Sequence, residues 1–110
     1  VYVAIVRMET PVFDHDAAVK VSLSSTETFT ALKDKGLLMK YYLTRESGGS
    51  GGVYIWRSKA DADAWYTPEW YVRLEKTYGV RPTVIFYDSF VQVDNTRKNQ
   101  VVVDGLPKVA

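Results

Sequence analysis

The sequence predicts an α+β domain of βαββαβ order with an antiparallel sheet. Three observations carry this: short runs rich in β-branched and aromatic residues, two helical stretches that each close on a glycine, and a glycine-rich segment joining one such run directly to the next. A chain of 110 residues supports one core, so a single domain over residues 1–110 is expected, with a core to residue 93 and a C-terminal extension over 94–110.

Residues 1–8 (VYVAIVRM) read as the first strand, stopped by Thr10 and Pro11. From Asp14 or Asp16 to Lys35 nothing breaks a helix, and Gly36 follows as its C-cap. On that helix Ala18, Val21, Ser22, Ser25, Phe29 and Leu32 share the face that should meet the sheet. Residues 37–45 form the second strand. The segment from Glu46 to Gly52 supplies a hairpin loop before the third strand at 53–57. Ser58 and Asp61 make a capping box for the second helical region, which Thr67, Pro68 and Glu69 break and restart. Gly79 ends it, and residues 83–91 alternate as a fourth strand. The order is ferredoxin-like, with strands one and three central and both helical regions on one sheet face.

Strands one and three are apolar on both faces: Val1, Val3 and Ile5 oppose Tyr2, Ala4 and Val6, and Val53 and Ile55 oppose Tyr54 and Trp56. Helices can cover only one face, and at about 25 cal/mol per Å² the other should not stay wet. A homodimer is therefore expected, a second copy covering that face. The alternative is that the tail from residue 93 folds back over the sheet. Residues 100–103 are apolar enough for a further strand that could instead lock onto a partner.

The net charge of +1 offers no field for a nucleic-acid backbone or an anionic membrane, although Arg97, Lys98 and Lys108 gather loosely near the end. An RNA-recognition module shares the element order, and Tyr2, Tyr54 and Trp56 would be its base platforms, but the strand-three pattern lacks the basic residue and phenylalanine spacing of that module. The absence of cysteine excludes disulfides, thiolate metal sites and a cysteine nucleophile. No apolar run is long enough to span a bilayer and no signal-peptide pattern precedes the first strand, so a cytoplasmic location is expected. The glycine-rich segment joins strand to strand and lacks a following Lys-Ser/Thr, which argues against a phosphate loop.

The candidate site residues are mostly aromatic. Tyr42, Tyr54, Trp56, Trp65, Tyr66, Trp70, Tyr78 and Tyr87 converge from strands and helices, and the first six of these are taken as substrate-binding, with the ordinary core as the competing role for each. Ser25 joins them as a hydroxyl that either faces a cavity or bonds back to the carbonyl one turn earlier. His15, the only histidine, and Asp88, set among Phe86, Tyr87 and Phe90, are the candidate catalytic bases. Arg45 and Arg57 end their strands and are either anion contacts or solvated charges. A lone histidine without cysteine gives no metal set, and no cofactor is expected.

The stretch Gly51-Gly52-Val53-Tyr54-Ile55-Trp56 with Ser58, then Thr67-Pro68-Glu69-Trp70 and Phe86-Tyr87-Asp88-Ser89, resembles the YdhR-like monooxygenase family. Gly36 to Leu43 is similar to that family's second strand, and Val93-Asp94-Asn95 to the end of its last. The resemblance spans most of the chain and implies the dimeric α/β-barrel superfamily of antibiotic-biosynthesis monooxygenases. It also implies cofactor-independent oxygenation of a small aromatic substrate, a phenol, quinol or anthrone, whose carbanion passes an electron to dioxygen. A non-catalytic small-molecule-binding protein, or an isomerase or decarboxylase on the same scaffold, would fit the same residues.

Overall fold

The computed structural model describes residues 1–97 and 101–108. Four strands, β1 (Tyr2–Met8), β2 (Leu37–Thr44), β3 (Ser50–Trp56) and β4 (Thr83–Asp88), form one antiparallel sheet in the order β2-β3-β1-β4. The helices α1 (His15–Leu23), α2 (Thr26–Ala31), α3 (Lys59–Trp65) and α4 (Pro68–Tyr78) fill the two crossovers. This is the predicted α+β, βαββαβ arrangement with strands one and three in the centre.

The first helical region differs from the uninterrupted helix expected. Ser24, Ser25 and Thr26 turn their hydroxyls back onto the carbonyls of Val21, Ser22 and Leu23. Three successive side chains thus compete for helix acceptors, and Ser25 leaves helical geometry at φ −119°, ψ 2°. The chain restarts as α2 and tightens through a 3-10 turn at Leu32–Lys35, closed by Gly36 at φ 94°.

The second helical region follows its capping signals. Ser58 Oγ accepts from the Asp61 amide at 3.2 Å, and Thr67 Oγ1 from the Trp70 amide at 3.3 Å, with Pro68 in the first turn of α4. Thr67→Ala should therefore cost about 1 kcal/mol, read as a lower urea midpoint at unchanged slope, whereas removing an idle hydroxyl would leave the midpoint in place.

Strand β3 begins earlier than expected, at Ser50, because Gly51 and Gly52 pair with β1 and β2 rather than turning. The hairpin loop is pinned from outside: Gly49 donates to the Thr10 carbonyl at 2.9 Å, and Thr10 Oγ1 meets Ser50 Oγ at 2.7 Å. The fourth strand is shorter than expected. It stops at Asp88, and Ser89 instead exchanges hydrogen bonds with Val1.

The core lies between the sheet and the helices. Ala4, Val6, Tyr54 and Trp56 supply its floor, with Ala62, Tyr66 and Trp70 above, all buried. Trp56 Nε1 donates to the Tyr66 hydroxyl at 3.1 Å.

The outer face carries Val3, Ile5, Val53 and Ile55 in the middle, with Met39, Tyr41, Leu43, Ile85 and Tyr87 exposed around them. Among the described residues, the C-terminal extension adds no strand to this sheet. Strands β5 (Val91–Val93), β6 (Val101–Val103) and β7 (Leu106–Pro107) pair only with one another in a separate small sheet. Of the expected strand over residues 100–103, Gln100 lies outside the described residues, as does Lys98 of the loose basic group. Among the described residues, no helix is long and apolar enough to cross a membrane, and no cluster of acidic residues and histidine is arranged to hold a metal.

Candidate functional site

Alternation alone would put Lys40 on the side of β2 opposite Leu37. A bulge decides otherwise. Leu37 stands opposite Trp56 while Met39 stands opposite Ile55, so the extra residue, Leu38, moves Lys40 and Tyr42 to the helix side. There Lys40 faces Tyr54 across the strands, and Phe29 descends from α2 onto both rings, edge-on to Tyr42 and Tyr54.

A cavity of about 220 Å³ opens between these rings and the helices. Val6, Tyr42 and Tyr54 line it from the sheet, Ser22, Ser25 and Phe29 from the first helical region, and Trp65, Trp70 and Arg73 from the second. Ligand pockets commonly run to about 300–1,000 Å³, so this one fits a compact aromatic molecule. Glycine makes part of the room. A Cβ at Gly52 would sit 3.1 Å from Tyr54 Cε1 and 3.2 Å from Lys40 Cε, in the space those side chains use.

Lys40 is the chemically distinctive group. Its Nζ lies 3.3 Å from the Phe29 ring centre, 4.0 Å from that of Tyr42 and 4.6 Å from that of Tyr54. Among the described residues no carboxylate comes within ion-pair distance of it. Burial pulls its pKa from 10.5 to about 7. An amine poised near neutrality can take a proton and return it. Lys40 also borders a shallow outer groove with Thr26, Thr30 and Lys33, which offers a proton a way to water.

Among the neighbouring hydroxyls, that of Tyr54 is held protonated. Burial, then the proximity of Tyr42 and Tyr78, pushes the Tyr54 phenol well above its ordinary value. Tyr42 Oη and Ser25 Oγ lie 2.9 Å apart, so the serine both bonds back along the helix and orients a cavity tyrosine. Trp65 Nε1 is buried without a hydrogen-bond partner among the described residues.

The structure thus brings Ser25, Tyr42, Tyr54, Trp65 and Trp70 together around one cavity, with Tyr78 also on its wall. Trp56 and Tyr66 lie below it in the core, joined to each other. Burial raises the Tyr66 phenol, and the Trp56 hydrogen bond partly opposes this. The two expected bases stand elsewhere. The His15 side chain is 87% exposed, with Nδ1 3.0 Å from Asp16 Oδ1. Asp88 is exposed at the end of β4, opposite Tyr2. Neither lines the cavity. Tyr87 lies on the outer face, Arg57 pairs with Asp61, and Arg45 borders a different depression beside the hairpin. Sequence reasoning missed Lys40; the available signal was a single lysine between Met39 and Tyr41 in an otherwise apolar strand.

No family model matches the chain, and no curated protein matches it. Among solved structures, the fold is similar to that of a protein from Deinococcus radiodurans described as a "putative antibiotic biosynthesis monooxygenase". The TM-score is 0.56 at 10% identity, over 81% of this chain and 92% of that one. A likeness at this identity is one of fold.

Proposed function

We propose that this chain is a cofactor-independent monooxygenase of the YdhR-like kind, acting on a small phenol, quinol or anthrone. The observation that carries this reading is the aromatic cavity holding Lys40 without a carboxylate partner. The neutral Lys40 amine takes the acidic proton of the bound substrate, and the Tyr42 and Tyr54 hydroxyls stabilise the resulting anion. That anion passes one electron to dioxygen, and the substrate radical and superoxide combine into a carbon–oxygen bond. The Lys40 ammonium returns its proton to the peroxide. Breakage of the O–O bond, with loss of the remaining C–H proton, then releases water and leaves a carbonyl. For an anthrone the balance is CH₂ + O₂ → C=O + H₂O, and the substrate supplies all the electrons.

An oxygen electrode with a panel of phenols and anthrones tests this. The expected result is protein-dependent uptake of one dioxygen per quinone formed; binding without uptake would leave a non-catalytic binding protein.

The outer sheet face belongs to the same reading, as the seat of a second copy in a dimeric barrel. Its exposed Met39, Tyr41, Ile85 and Tyr87 are the kind of surface a monomer does not leave in water, and the self-paired β5–β7 sheet leaves Phe90, Val91, Val93 and Leu106 exposed for an exchange of arms. Sedimentation should give twice the chain mass. Ile85→Asp should weaken the association by about a hundredfold, since a charge buried without a partner costs several kcal/mol. A wild-type monomer at micromolar concentration would remove the dimer from the proposal.

A further inference from the structure

The cavity wall contains two cations and no acid. Lys40 and Arg73 both line it, and no Asp or Glu does among the described residues. Each cation sits on one member of an aromatic pair: Lys40 Nζ on the Phe29 ring, and the Arg73 guanidinium 5.6 Å from the Trp65 ring centre, with Phe29 and Trp65 themselves 5.9 Å apart and edge-on. Arg73 also has no carboxylate within ion-pair distance among the described residues. Arg57, Lys59 and Arg81 are matched by Asp61, Asp63 and Glu75, whereas Lys20, Lys33, Lys35, Arg45, Lys76 and Lys108 are unpaired among the described residues but line no part of this cavity; Lys40 and Arg73 are the unpaired cations on its wall.

We infer that the ligand of this cavity is an aromatic carboxylate, its ring against Phe29 and Trp65 and its carboxylate between Lys40 and Arg73. An anion there completes the unpaired cations with charge-assisted hydrogen bonds, and the aromatic walls take the rest of the molecule. Unmatched positive charge at an apolar hollow, with Lys40 half-buried in its wall and Arg73 exposed at its rim, disfavours cationic ligands and gives neutral aromatics no compensation for displacing water from the ammonium. The cavity's size limits the ligand to a compact ring system. The inference rests on the cavity being the ligand site; a carboxylate seated there holds Lys40 as the ammonium, so toward such a ligand Lys40 is a binding group, and its role as base is confined to ligands without an acid group.

The test is calorimetric titration under argon at pH 6.5 with 2-naphthoate and its neutral near-isostere 2-naphthamide. The acid should bind at least about tenfold more tightly. Lys40→Met should erase most of that preference, Lys40→Arg should keep it, and Arg73→Gln should reduce it severalfold. Equal binding of acid and amide, or a preference that survives Lys40→Met combined with Arg73→Gln, would overturn the inference. Binding of neither probe would overturn both the inference and the substrate role of the cavity. Acid-selective binding by a protein that takes up no oxygen in the phenol and anthrone screen would uphold the inference and sink the oxygenase reading alone.

Discussion

Lys40→Met is expected to lower oxygen uptake by about 10²–10⁴-fold, the range for losing a positioned acid–base group, and at the same time to make the protein more stable below neutral pH. The two effects share one cause. In the unfolded chain the amine keeps a pKa of 10.5, and in the folded chain burial brings it to about 7. Between these values the unfolded state binds the extra proton, so stability rises with pH from about 7 to 10.5 and the penalty is complete below 7. A fall of that size would be worth several kcal/mol in a dry core. Access to water through the cavity and the outer groove cuts it to on the order of 2 kcal/mol. Lost cation–π contacts offset on the order of 1 kcal/mol of the gain, and the methionine thioether recovers part of that against the same rings. Tyr42 and Tyr54 face the amine directly and Arg73 stands further along the wall, with no acid among the lining residues, so the change between pH 6 and pH 9 belongs to Lys40. Urea midpoints at pH 6 and pH 9 should differ for the wild type and converge for the variant. A variant less stable than wild type at pH 6, with uptake intact, would place Lys40 outside both roles.

Gly51→Ala should be the most damaging single methyl in the protein. A Cβ built there lies 1.8 Å from the Val6 carbonyl oxygen and 2.8 Å from its carbonyl carbon, both backbone atoms, so no rotamer relieves the clash. The two strands involved, β1 and β3, are the central pair, and separating them strips the register from Tyr2 opposite Trp56 to Met8 opposite Ser50. The cost is about 3 kcal/mol or more, at the upper end for overpacking. Gly79→Ala is the internal comparison. Nothing lies within 4 Å of its Cβ, and only the left-handed φ of 76° is penalised, by roughly 1 kcal/mol. The urea midpoint should fall far more for Gly51 than for Gly79. Equal falls would mean that the strands approach less closely at Gly51 than described.

Much of the fold was open to reading because its signals are local. Asp14, Ser58 and Thr67 cap helices through their own side chains, and Gly36 and Gly79 end elements by taking left-handed geometry. The aromatic character of the site was equally open, since Tyr42, Tyr54, Trp65 and Trp70 come from elements whose order already brings them together. The core role of Trp56 and Tyr66 was not, because two aromatics of the same composition differ only in how far they stand from an empty volume.

By itself, then, the sequence determined the α+β class, the βαββαβ order, the helix boundaries set by caps, and an apolar surplus on the central strands. Only the tertiary structure decided which side chains meet at the cavity. One extra residue in β2 reverses which side Lys40 occupies, and a register shift of that kind leaves no mark on composition or period. Three consecutive hydroxyls break the first helix and turn Ser25 toward Tyr42, a choice between backbone and side-chain acceptors that depends on what lies opposite. The depressed amine needs Phe29, Tyr42 and Tyr54 to close around it from two elements, so it exists only once helix and sheet have met.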